Sequence, residues 1–251
     1  MNPATPREKQ LADALATVRQ RLEDAAAAAG RKSSEIELLP ITKFFPASDV
    51  AILARLGCLS FGENRDQEAA AKAAEVAALL AQPVRWHMVG HIQRNKARSI
   101  AGWAYAAHSV DSERVATALD RAATAALESG ARDEPLRVYV QVSLDGDLLK
   151  IPTRGGVDVD RSELVDKICA QVDAADGLTL VGLMAIPPPA SDPDEAFARL
   201  QAEHRRVLQA HPEATGLSAG MSADLEAAVK HGSTCVRVGT ALLGPRPLTS
   251  P

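Results

Sequence analysis

Apolar positions along this chain recur with two periods. From Pro6 to Ala29, Leu11, Leu15, Val18 and Leu22 are spaced by three and four, which predicts a helix, and Gly30 is placed to end it. Beyond it the pattern alternates between strand and helix. Strand candidates are 36–43 (IELLPITK), 58–64 (CLSFGEN), 84–90 (VRWHMVG), 105–111 (YAAHSVD), 137–144 (RVYVQVSL) and 178–186 (LTLVGLMAI). Two more close the series: a short run before Ser222, and TCVRV at 234–238. The run 137–144 alternates with branched side chains throughout, whereas Pro40 is awkward for a central strand. Helices are predicted at 47–56, 66–80, 112–129 and 160–175, and from Ser191 or Asp192 to about Ala210; a short basic one holds Arg94, Lys96 and Arg98. Residues 145–159, punctuated by Gly146, Pro152, Gly155 and Gly156, read as a long loop. Eight strands alternating with helices predict an α/β fold, a single (β/α)8 TIM-type barrel with an additional N-terminal helix and residues 1–251 as one domain.

Composition narrows the partners. Net charge is −4, the 28 Lys and Arg are dispersed, and aromatic residues make up 3%, so neither a basic stripe nor a stacking platform for nucleic acid is expected. Cys58, Cys169 and Cys235 are far apart, fit no metal-ligand spacing and sit in apolar runs, as reduced core thiols do. The N-terminus lacks a signal-type apolar core and the AAAAAG run at 25–30 is too short to span a membrane, so a cytoplasmic location follows by default.

Polar residues gather at one end of the predicted strands. Lys43 closes the first, Asn64 follows the second, His87 and Gly90 end the third, Ser222 follows the seventh, and Arg237 and Gly239 end the eighth. In barrels that end carries the chemistry, and the loops after strands seven and eight commonly hold a phosphate. Ser222 stands as a helix N-cap, with Asp224 and Glu226 in the first turn, and Gly239 and Thr240 offer backbone N–H groups at a second corner. Lys43, desolvated near another cation, has an amine suited to a Schiff base; alternatively it reaches over the rim into water. Arg237, flanked by apolar residues, needs an acceptor, either a barrel carboxylate or a ring nitrogen or anionic oxygen of a ligand. Pyridoxal 5'-phosphate joins these features: an aldehyde for Lys43, a ring nitrogen for Arg237 and a phosphate for Ser222 and Gly239. Other residues weigh less. His87 and His91 are a poor metal pair; His87 reads as a pocket wall, His91 as a surface residue, Met184 as packing, and Asp111 with Glu113 as cap and first turn.

The blocks ITK (41–43), FGEN (61–64), Gln67-Glu68, WHMVG (86–90), Gln93 with Asn95 and Lys96, HSVD (108–111), GLMAI (182–186), GMS (220–222) and VRVGTALLG (236–244) resemble the pyridoxal phosphate homeostasis proteins, single-domain relatives of the alanine racemase N-terminal barrel. The resemblance implies a fold-type III cofactor barrel in which Lys43 carries the cofactor as a Schiff base and Asn64 lines its site. It implies too that Ser222, Gly239 and Thr240 hold the phosphate while Arg237 faces the pyridine nitrogen. Three positions depart from the pattern: Arg65 stands where an aromatic is usual, His91 replaces a proline, and Thr153-Arg154-Gly155-Gly156 replaces a Ser-Lys-Ser-Gly-like segment, leaving the role of that loop and a secondary cofactor site open.

An arginine opposite the pyridine nitrogen weakens the ring as an electron sink, and racemases of this barrel add a tyrosine base from a further domain. Here the tyrosines are Tyr105 and Tyr139 and no such domain is expected. The expectation is therefore a monomeric cofactor carrier exchanging pyridoxal 5'-phosphate with dependent apoenzymes, with little or no turnover. The alternatives are a small amino-acid racemase of the same barrel class and, with no chromophore, an aldolase using Lys43.

Overall fold

The computed structural model describes residues 4–145, 155–189 and 191–245. Thr153 and Arg154 of the 145–159 segment lie outside them. Helix α1 (Pro6–Ala28) opens the chain; Thr5 caps it, its hydroxyl accepting from Glu8 N–H while the Glu8 carboxylate accepts from Thr5 N–H, and Gly30 turns the chain away at φ 66°.

The strands are β1 (Glu37–Pro40), β2 (Ser60–Glu63), β3 (Arg85–Met88), β4 (Ala106–Val110), β5 (Leu136–Ser143), a two-residue β6 (Val157–Asp158), β7 (Leu178–Ile186), β8 (Gly216–Ser218) and β9 (Cys235–Val238). All pair in parallel in the order β1-β9-β8-β7-β5-β4-β3-β2, with β6 beside β5. The bridge between Ile41 and Gly62 brings the two ends of this order together, and a nearly closed eight-stranded barrel results. Helices α2 (Ala47–Arg55), α3 (Asp66–Leu79), α4 (Ala97–Trp103), α5 (Glu113–Glu128), α6 (Ser162–Asp173), α7 (Pro193–Ala210), α8 (Leu225–Lys230) and α9 (Thr240–Leu243) surround it. The segment 145–159, read as a long loop, therefore contributes β6 to the sheet. Among the described residues no helix is long and apolar enough to cross a membrane.

Pro40 fits because of strand polarity. Glu37 and Ile41 donate their N–H groups toward β9, to Thr234 O and Val238 O, so position 40 faces β2, where pairing begins only with Thr42 N–H to Gly62 O. No ladder bond asks for the donor that proline lacks.

Period-two alternation sorts the side chains. Along β5, Leu136, Val138, Val140 and Val142 join the apolar layer beneath the helices, so Tyr139 and Gln141 face inward. On β9, Val236 and Val238 join the helix layer, while Arg237 meets groups of the barrel interior. β4 breaks the rule. Its register with β5 shifts between Ala107 and Val110, both of which pack outward, so His108 and Ser109 are consecutive inward residues. In β7 a similar shift surrounds Gly182 at φ 152°, where an added Cβ would lie 1.7 Å from Gly216 O.

Candidate functional site

At the carboxyl ends of the strands lies a cavity of about 810 Å³. Lys43, Asn64, Ser222, Arg237, Gly239 and Thr240, the six residues singled out from the sequence, all line it. Gly90, His91, Ser109, Gln141 and Ile186 complete much of the remaining wall.

Lys43 is half-buried, beyond the end of β1 in a tight turn closed by Phe45 N–H to Thr42 O at 3.0 Å. Phe44 occupies the third position of that turn at φ 70°, a left-handed conformation that costs a bulky residue of order 1–3 kcal/mol. The Arg65 guanidinium sits 5.5 Å from the Phe44 ring, so the arginine found where an aromatic is usual still stacks against this turn. Beneath it Glu63, fully buried, accepts from Thr42 Oγ1 at 2.7 Å and Lys72 Nζ at 2.6 Å, and the same ammonium donates to Thr42 O at 2.9 Å. Two polar groups of the residue preceding Lys43 are thus tied to an ion pair behind the wall. The spacing of Glu63 and Lys72 held no sign of this, since Lys72 reads as one more exposed position of an alanine-rich helix.

The two corners expected to bind an anion are present, with one correction. Ser222 does not cap the helix that follows it: α8 begins at Leu225 with Asp224 at the N-cap position. Ser222 Oγ accepts instead from Ala241 N–H at 3.3 Å, in the first turn of α9, so the corner after β8 is tied to the corner after β9. Serine caps whichever free N–H it can reach, and the sequence gives no measure of that distance. Gly239 and Thr240 N–H donate to no described backbone acceptor, and the Ser222 hydroxyl keeps its own proton to donate. At the next cap, Ser112 rather than Asp111 accepts at the start of α5, from Val115 N–H.

Arg237 is 4% exposed. Its Nη1 donates to Ser218 Oγ at 2.6 Å and its Nη2 to Ala185 O at 2.9 Å. No carboxylate among the described residues forms an ion pair with it, so the barrel-carboxylate alternative does not hold. Burial pushes its pKa down while Cys235, Asp224 and Tyr139 pull it up, and a guanidinium remains charged throughout. A buried cation that meets only uncharged acceptors favours an anionic or lone-pair-bearing ligand in the cavity beside it. Asn64 adds the complementary demand: its Oδ1, an acceptor, is buried with no hydrogen-bond partner among the described residues, which favours a donor on the same ligand.

His91 is the surface residue expected, though it also borders the cavity; His87 is not a wall of it. His91 lines the cavity, 70% exposed by its side chain and 4.0 Å from Asp111 Oδ2, whereas His87 lies inside the barrel, 2% exposed, with Nδ1 2.9 Å from His108 Nε2. Met184 packs with Tyr139 and Val181, as expected of a core residue. All three cysteines are buried thiols, and the described residues hold no group of side chains that could bind a metal.

Residues 14–247 match the family model described as alanine racemase, N-terminal domain. The pyridoxal phosphate homeostasis protein of Mycobacterium tuberculosis is 66% identical over 252 residues, covering 98% of this chain and 96% of that one. The structure of PipY of Synechococcus elongatus with pyridoxal phosphate bound superposes with a TM-score of 0.76 at 30% identity, covering 94% of this chain and 100% of PipY. Alanine racemase of Clostridium difficile gives a TM-score of 0.67 at 13% identity; the match covers 93% of this chain but 56% of the racemase, a likeness of fold alone. With near-complete coverage at such identity, the chain belongs to the pyridoxal phosphate homeostasis protein family.

Proposed function

We propose that this chain binds pyridoxal 5'-phosphate in the cavity at the carboxyl ends of the strands, attached through Lys43 Nζ, and acts in cytoplasmic cofactor homeostasis with little or no turnover. The observation that carries the reading is the convergence of a half-buried amine, a buried guanidinium with no carboxylate partner among the described residues and two donor corners on one cavity. Each part has a role in it. Ser222 Oγ with the N–H groups of Gly239 and Thr240 receives the phosphate, Arg237 faces the ring nitrogen, and Asn64 supplies an amide oxygen that has no partner among the described residues. The cofactor supplies an aldehyde to which an amine adds and a ring that draws electrons from that carbon.

Arg237 can only donate, so the ring nitrogen it faces is an acceptor without a proton and the pull of the ring is weak. A second base would be needed for efficient racemisation. Tyr139 is buried among Val181 and Met184 and Tyr105 lies against Arg85 and Arg137, so neither described tyrosine lines the cavity. This supports a carrier over a racemase, and a monomer exchanging cofactor with dependent apoenzymes is the form in which we propose it acts.

The test is an absorption titration. Wild-type protein incubated with pyridoxal 5'-phosphate and desalted is expected to retain a visible band that Lys43→Ala lacks, and to leave the optical rotation of L-alanine unchanged. A colourless desalted wild type would overturn the binding reading, and rapid loss of rotation would overturn the carrier reading.

A further inference from the structure

Below the cavity, a line of polar side chains runs down the barrel interior that cofactor binding itself does not use. Ser218 Oγ, which accepts from Arg237 Nη1, is 2.9 Å from His108 Nδ1; His108 Nε2 is 2.9 Å from His87 Nδ1. His87 Nε2 ends the line, buried and without a hydrogen-bond partner among the described residues. The four residues come from β9, β8, β4 and β3, and the bulge in β4 is what turns His108 inward beside Ser109. The Tyr139 ring, 4.3 Å from that of His108 and tilted by 31°, holds the imidazole plane.

Hydrogen positions follow from the cation at one end. A guanidinium only donates, so it takes a lone pair of the Ser218 hydroxyl. A hydroxyl bound to a cation is a better donor and a poorer acceptor, and its proton goes to His108 Nδ1. His108 then carries its proton on Nε2 and gives it to His87 Nδ1, which leaves His87 protonated on Nε2. The opposite order would send the hydroxyl proton to the Cys235 thiol beside it, and sulfur is a weak acceptor. Burial holds both imidazoles neutral. The charged and titratable groups around the pair are Glu37 on β1, Arg85 on β3, Tyr105 before β4, Arg137 and Tyr139 on β5, and Cys235 and Arg237 on β9.

We propose that Ser218, His108 and His87 form a hydrogen-bonded relay of fixed polarity, set by Arg237, whose function is to position that guanidinium for the ligand in the cavity. Ser218 and His108 are positioning residues. With its hydroxyl proton committed to His108, Ser218 always presents a lone pair to Arg237, and together with Ala185 O it fixes the guanidinium plane. Remove His108 and the hydroxyl is free to turn, so the arginine loses a defined anchor. The binding arm of the test rests on the cofactor reading above; the polarity itself does not.

Imidazole nitrogen NMR on the full chain, free of cofactor, reads the polarity directly. Both His87 and His108 are expected to show a protonated Nε2 and a bare Nδ1, unchanged from about pH 8 down to about pH 5.5; a proton on Nδ1 of His108, or titration of either ring in that range, would overturn the relay. In the binding arm, His108→Leu is expected to weaken pyridoxal 5'-phosphate binding by about tenfold and to shift its visible band. His108→Asn, which keeps an acceptor near the Nδ1 position, is expected to restore affinity to within about threefold. Ser218→Ala removes only the hydroxyl and should repeat the loss if the leucine variant does not fold. Unchanged affinity and band in the variants overturn the positioning role. A wild type that takes up no cofactor defeats the binding reading instead, while the NMR result still decides the relay.

Discussion

The ion pair behind Lys43 gives a prediction that can be worked through in full. Lys72→Met removes the ammonium that neutralises Glu63, while the thioether side chain keeps most of the length and apolar surface of the lysine stem. Glu63 is 0% and Lys72 11% exposed by side chain, and their 2.6 Å contact is supplemented by the Thr42 hydroxyl on the same oxygen. After the substitution that hydroxyl is the one described donor left to the carboxylate, since Glu63 Oε2 already has no partner among the described residues. Orphaning a buried charge in this way costs about 3–5 kcal/mol. At roughly 2–4 °C per kcal/mol for a chain of this size, the thermal midpoint should fall by roughly 6–20 °C. Urea unfolding should show the same loss as a shift in midpoint at unchanged slope. Adding Glu63→Gln removes the orphaned charge, and the double variant should recover at least about 2 kcal/mol of the loss. A Lys72→Met loss below about 1 kcal/mol, or a double variant less stable than Lys72→Met, would refute the claim that this pair ties down Thr42 at the start of the turn that holds Lys43.

Three further outcomes follow from the geometry. Burial depresses both barrel imidazoles, His87 to about 4 from 6.5, so below pH 6.5 the unfolded chain binds protons that the folded chain does not. Stability is then complete above that pH and falls on acidification toward about 4, by up to about 1.4 kcal/mol per pH unit for each imidazole; thermal midpoints across this range measure it, and a flat profile contradicts it. Gly90→Ala would place a Cβ 2.1 Å from Asn64 O, forcing apart the ends of β2 and β3; a loss of about 1–3 kcal/mol in urea unfolding is expected, together with weaker cofactor binding. Ser222→Ala removes both the hydroxyl proposed to donate to the phosphate and the acceptor for Ala241 N–H, so affinity for pyridoxal 5'-phosphate should drop by about tenfold in a titration, with stability lowered by about 1 kcal/mol.

The barrel was legible in the sequence because apolar strand-like runs alternate with helical ones, and most plainly in β5, whose outward half is Val138, Val140 and Val142. The rim of the cavity was legible for the same reason: residues just past a strand end are few, and Lys43, Asn64, Ser222 and Gly239 are conspicuous among them. The interior line was not. His108 and Ser218 lie 110 positions apart, and strict alternation cannot turn both His108 and Ser109 inward, which requires the irregularity opposite β5. Ser222 looked like a local cap because capping is usually local; its reach to Ala241 depends on how closely two corners of the barrel approach. Pro40 looked like an obstacle because its N–H side could not be assigned until its neighbours on β2 and β9 were known.

The account depends above all on one bond between Lys43 Nζ and the cofactor. Borohydride reduction of the protein incubated with pyridoxal 5'-phosphate, followed by peptide mass mapping, reads that bond directly. The predicted result is a single stoichiometric phosphopyridoxyl label on the peptide containing Lys43, absent when that residue is alanine. Label spread over surface lysines, or an unmodified Lys43 beside a labelled lysine elsewhere, would contradict it.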